Sequence, residues 1–163
     1  MLTRSFLALL AIFAQRASFV SSVLAPLDAL AAKTAAIEAD VEALGLGEDA
    51  WVGEVLDGIA VDAARAAFIH AAYRAAVSLG DGAREGGWLG KADAALAKAG
   101  AVVARRHGRL HDPDPRRLLD RGTNVTLYGY LNTADTLCYW VRERADLGNA
   151  AQGTSAPVPS CVF

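Results

Sequence analysis

Apolar residues along this chain recur at helical spacings. Leu27, Leu30, Thr34, Ile37, Val41 and Leu44 follow one another at alternating steps of three and four, with Asp28, Lys33, Glu38, Asp40 and Glu42 between them. This is a heptad seam broken by one threonine, and it predicts an amphipathic helix. Pro26 either opens that helix or kinks a longer one, and Gly45 and Gly47 end it.

A second helix is predicted from Glu48 or Trp51 to Leu79. Its main stripe is Val52, Val55, Ile59, Ala63, Ala66, His70, Tyr73 and Val77, and Val61, Phe68, Ala72 and Leu79 form another apolar patch. Only a narrow polar strip of Glu54, Asp57, Asp62 and Arg65 remains, which predicts a central helix with several neighbours. Glycine-rich residues 80–87 read as a turn, and a third helix is expected from Trp88 to Gly108. Asp112-Pro113-Asp114-Pro115 interrupts it, because each proline drives its predecessor out of the helical region. A last helix is expected from the cap at Gly122-Thr123-Asn124 to Leu147, with Leu127, Leu131, Ala134, Cys138, Val141 and Ala145 inward. The resulting organisation is an N-terminal apolar segment 1–25, a helical domain 26–147 and a flexible tail 148–163.

The N-terminal segment has two readings. Arg4 followed by the apolar run Phe6–Ala14 has the layout of a signal peptide. Alternatively, Phe6, Leu9, Phe13, Val20 and Val23 share one face of a first helix. The run is too short for a transmembrane span. The expected compartment is the cytoplasm, with secretion or export to the periplasm the alternative if residues 1–25 are a signal segment.

Composition sharpens the class. The chain has 163 residues, 53% of them hydrophobic, enough for one domain with a core. Alanine favours helix and close helix approach, and strand-like alternation is almost absent. The expected fold is all-α: an up-and-down helical bundle of four long helices plus the N-terminal apolar helix or signal segment. A net charge of −2 argues against a nucleic-acid partner. The two cysteines, Cys138 and Cys161, are too few to staple the fold, and a bridge between them requires the tail to fold back.

Candidate chemistry is sparse. His107 and His111 are weak metal candidates, because the proline break follows them and no full ligand set is visible. Glu-x-x-His pairs, which a di-iron bundle needs, do not occur. No Walker loop, nucleophile elbow or HExxH motif is present, and no cofactor is expected. Residues 105–121 carry six arginines against three aspartates, and Arg116 and Arg117 suit an anionic small molecule. The closing helix supplies Tyr130, Asp135 and Cys138, a polar-aromatic set of the kind that lines pockets. His70, on the inner stripe of the second helix, would serve that ligand site or activate Cys138 in a small enzyme.

The expected role is a non-enzymatic interaction or accessory protein, meeting a protein partner or itself through the apolar helices. A ligand- or anion-binding module built on the Arg-rich link 105–121 and the aromatic helix 124–146 is the alternative. An enzyme centred on His70 and Cys138 is the third.

Overall fold

The computed structural model describes residues 16–46, 50–110 and 134–160, and every regular element among them is helical. Four helices result. The first, α1, is a continuous rod made of Arg16–Phe19, a π-helical turn Val20–Leu24 and Ala25–Ala43. It is followed by α2 (Ala50–Val77), α3 (Gly82–Leu110) and α4 (Ala134–Gln152).

The separate N-terminal helix expected before Pro26 is not what forms, at least from Arg16 onward. Residues 16–24 are the first part of α1, and Pro26 sits inside the rod. A proline ring collides with the carbonyl one turn back, and the wider π turn just before it relieves that collision. Ser21 and Ser22 help here by donating their hydroxyls to the Ser18 carbonyl, at 3.1 and 2.6 Å.

The turn expected over residues 80–87 is shorter than the glycines suggested. After α2 ends at Val77, Gly80 takes a left-handed φ of 89° that a side chain would resist, and α3 starts at Gly82. Asp81 caps the new helix, accepting from the Arg84 N–H at 3.5 Å. Glu85, buried, reaches back to accept from the Gly80 N–H at 3.0 Å. These side-chain bonds satisfy donors that four glycines within eight residues would otherwise leave to water.

Helices α2 and α3 therefore form an antiparallel hairpin, and their interface is made largely of alanine. Ala64, Ala71, Ala72 and Ala76 of α2 and Ala92, Ala95 and Ala99 of α3 are all buried in one cluster. Bulk enters where α4 closes over the pair. Phe68 stacks on Trp140 with ring centroids 5.5 Å apart, and Leu147 completes the cluster. On the other side α1 lies along α2, with Leu24 fully buried and Phe19 stacked on Tyr73 at 5.7 Å.

After α4 the chain turns at Gly153 (φ 64°). Asn149 holds the turn: its carbonyl accepts from the Thr154 N–H at 2.8 Å, and its amide donates to the Ala156 carbonyl at 2.8 Å. Residues 154–160 thus return toward the helix they leave.

Two substitutions test this account by urea denaturation. Asp81→Ala removes the cap of α3 and is expected to cost about 1 kcal/mol. Gly90→Ala, at an exposed helical position where an added Cβ meets nothing within 4 Å, is expected to gain about 0.5–1 kcal/mol. A loss at Gly90→Ala would mean the α3 surface there is covered.

Candidate functional site

The seam of α1 does not face the other described helices. The residues that pack inward are Leu24, Asp28, Ala31, Ala35 and Glu38, a stripe of small and polar side chains apart from Leu24. Leu27, Leu30, Thr34, Ile37, Val41 and Leu44 lie on a second stripe roughly 110° away at about 100° per residue. Leu30, Ile37 and Leu44 are 48%, 42% and 65% exposed. Leu27, Thr34 and Val41 are half-buried beside them. Lys33 and Asp40 border this stripe on the side away from α2, and both are exposed.

The inward stripe explains why α1 can afford this. Asp28 meets two side chains of α2: Arg74, through its Nε at 3.3 Å and through Nη2, and His70, whose Nε2 lies 2.5 Å away. Burial alone would raise the Asp28 carboxyl. The hydrogen bond and charge of Arg74, followed by those of His70, outweigh it and hold the group below its ordinary value of 3.8. Glu38, buried, pairs with Lys98 of α3. Ionic contacts of this kind recur at the other helix pairs. Asp57 of α2 is 2% exposed and accepts from Arg105 of α3 at 2.9 Å, and Arg144 of α4 pairs with Asp93 of α3 at 2.8 Å.

Between α1, α2 and α3 lies a cavity of about 330 Å³. Its walls are mostly alanine, among them Ala35, Ala67 and Ala95, and its polar groups are His70, Glu38, Lys91 and Lys98. Trp88 stands beside it. Its ring carries the Lys91 ammonium at 3.9 Å on its face, Arg74 at 5.8 Å, and the His70 ring edge-on at 5.2 Å. Glu38 takes Lys98, whereas Lys91 has no carboxylate partner among the described residues.

Of the expected site residues, His70 is in this cleft, turned to Asp28 of α1 rather than to α4. Cys138 is on α4 and is disulfide-bonded, and Cys161 is the only other cysteine of the chain. An enzyme centred on His70 and Cys138 would need this sulfur as a free thiol. Asp135 lies on α4 and His107 on α3, but their side chains are outside the described residues. Tyr130, Arg116, Arg117 and His111 are outside them altogether. Arg105, counted with the arginine-rich link, is committed to Asp57, which itself sits in the core rather than on a solvated strip. Among the described residues no three His, Cys, Asp or Glu side chains come together to hold a metal.

Sequence reasoning passed over Lys91 and Lys98. Their one-heptad spacing on the face of α3 that carries Ala92, Ala95 and Ala99 was the available signal.

The Asp28 cluster predicts a pH dependence. A carboxyl held below its ordinary value contributes stability above that value, and the contribution is lost as pH falls through the lowered one. The gap in urea midpoint between the native chain and Asp28→Asn is therefore expected to be widest at neutral pH and to close in acid, below the ordinary value of 3.8. A gap that stays constant from neutral pH into acid would show that the Asp28 charge contributes nothing.

No protein-family model matches the chain, and no curated protein or solved structure matches it.

Proposed function

We propose that this chain is a helical interaction module and that the exposed seam of α1 is its contact surface. In this reading the chain is an up-and-down bundle whose first helix presents one face to α2 and another to a partner. One observation carries it: Leu30, Ile37 and Leu44 of α1, at heptad spacing, are exposed, while Leu24, Asp28, Ala31 and Glu38 form the stripe turned to α2 and α3. A seam of this kind meets another helix through knobs-into-holes contacts, so the partner chemistry is an amphipathic helix. By length and composition Val20–Ala43 would also suffice to cross a membrane. Its Asp28 and Glu38 are instead engaged by Arg74, His70 and Lys98, which favours a protein partner over lipid.

Site-specific photo-crosslinking in the source cells tests this. A photoreactive residue at Ile37 is expected to give a defined protein adduct, and one at exposed Arg65 of α2 is not. In parallel, Leu30→Gln/Ile37→Gln/Leu44→Gln is expected to change the stability of the isolated monomer by less than about 1 kcal/mol. Loss of several kcal/mol would show that the seam belongs to the core, and absence of any adduct at Ile37 would remove the reading.

A second reading, a ligand-binding module, is favoured by the cleft rather than by the arginine-rich link. Alanine walls and the Lys91 ammonium, which has no carboxylate partner among the described residues, suit an amphiphile with one anionic head. Calorimetry with decanoate is expected to show binding that Lys91→Glu abolishes, and no heat with the native chain would end this reading.

The disulfide also bears on the compartment. A disulfide at Cys138 favours the exported alternative over the cytoplasm, because such bonds persist in oxidising surroundings. Thiol titration of the denatured protein, purified from its source without reductant, is expected to find none; two free thiols would return the chain to the cytoplasm.

A further inference from the structure

We infer that the partner of the α1 seam is the α1 seam of a second copy of this chain, in antiparallel pairing; this deepens, and rests on, the contact-surface reading above. The seam is regular enough to be paired with itself on paper. Two-fold pairing about its midpoint sets Leu27 against Leu44 of the second copy, Leu30 against Val41, and Thr34 against Ile37, and each layer repeats by symmetry. Every apolar position is used and none is left facing a charge.

The flanking charges select this arrangement. In an antiparallel pair, the residue just before Thr34 faces the residue three beyond Ile37 of the other copy. These are Lys33 and Asp40, so the symmetric dimer forms two Lys33–Asp40 pairs between copies. Both side chains are exposed, and neither has an ionic partner among the described residues. A parallel pair would instead direct Lys33 at Glu38, which is buried and already holds Lys98. Charge complementarity therefore favours the antiparallel form.

Among the described helices, the placement of the seam on α1 leaves room for the second copy. It stands roughly 110° around α1 from the stripe that contacts α2, close to the angle of about 90° between neighbours in a square four-helix packing. The α1 helix of the second copy thus lies beside α2 without displacing it. The seam is about 26 Å long, so the interface is at the small end of specific contacts. A weak dimer with a Kd on the order of 10–100 µM is expected.

Sedimentation of the full chain up to about 200 µM, compared with three charge variants, tests the inference. The native chain is expected to show a monomer–dimer equilibrium. Lys33→Asp and Asp40→Lys each replace two attractive pairs by two repulsive ones and are expected to weaken dimerisation about tenfold. The double variant Lys33→Asp/Asp40→Lys restores opposite charges and is expected to return to within about threefold of the native affinity. All four positions of charge are at the surface, so each variant is expected to fold, and circular dichroism checks that it does. A strict monomer, or a dimer in which the double variant is no better than the singles, overturns the antiparallel self-pairing. The Ile37 crosslink separates this from the broader reading. An adduct of twice the chain mass agrees with both. An adduct with a different protein retains the contact surface and removes the self-pairing, and no adduct removes both.

Discussion

Helices that meet through alanine approach closely but gain no register from the contact. A row of Cβ methyls offers no knobs, so Ala64, Ala71 and Ala76 slide past Ala92, Ala95 and Ala99 with little change in packing. Something else must say which residue lies opposite which. In this protein the ionic pairs do it: Asp28 with Arg74 and His70 for α1 on α2, Glu38 with Lys98 for α1 on α3, Asp57 with Arg105 for α2 on α3, and Asp93 with Arg144 for α3 on α4. Such pairs add little net stability when desolvated. Their value is positional, since a slip of one turn would strand a carboxylate such as Asp57 in apolar surroundings. The Phe68–Trp140 stack, with Leu147 beside it, adds large, shaped contacts to the alanine cluster.

The same division of labour accounts for α1. Apart from Leu24, α1 docks through small side chains and paired carboxylates, and it carries Leu30, Ile37 and Leu44 on a separate, exposed stripe. The cleft is the other product of alanine packing: three helices held apart by charged side chains at their edges do not fill the space between them, and about 330 Å³ stays open. Seam and cleft are therefore two consequences of one choice of interface residue.

Much of the architecture was legible in the residues. The helix class, the central position of α2 and the end of α1 near Gly45 follow from spacing and turn residues, whereas the closing helix buries Trp140 and Leu147 and leaves Val141, expected inward, 43% exposed. What periodicity could not supply was which of two valid stripes on a helix faces inward. Leu27 to Leu44 and Leu24 to Glu38 are both heptad-spaced, and hydrophobicity ranks the wrong one first, because carboxylates inside are unreadable until their cations are placed. Asp57 was misplaced for the same reason: its partner Arg105 lies far along the chain. The turn before α3 was overextended because glycine marks a turn or a weak helix equally, and the cap at Asp81 decides between them. Most of the candidate site on the link and the start of the aromatic helix lies outside the described residues, and His70 was placed correctly on an inner stripe but turned to a different helix.

The C-terminal turn has a mechanical consequence. Helices ordinarily fray where their last carbonyls lack partners, but α4 is closed at its C-terminal end: the Asn149 backbone carbonyl accepts from the Thr154 N–H and the Ala150 carbonyl from the Gly153 N–H. Opening of α4 at Gln152 must first break these bonds. Leu147, buried less than one turn before Asn149, is thereby held against the core at a helix end that would otherwise be free to open.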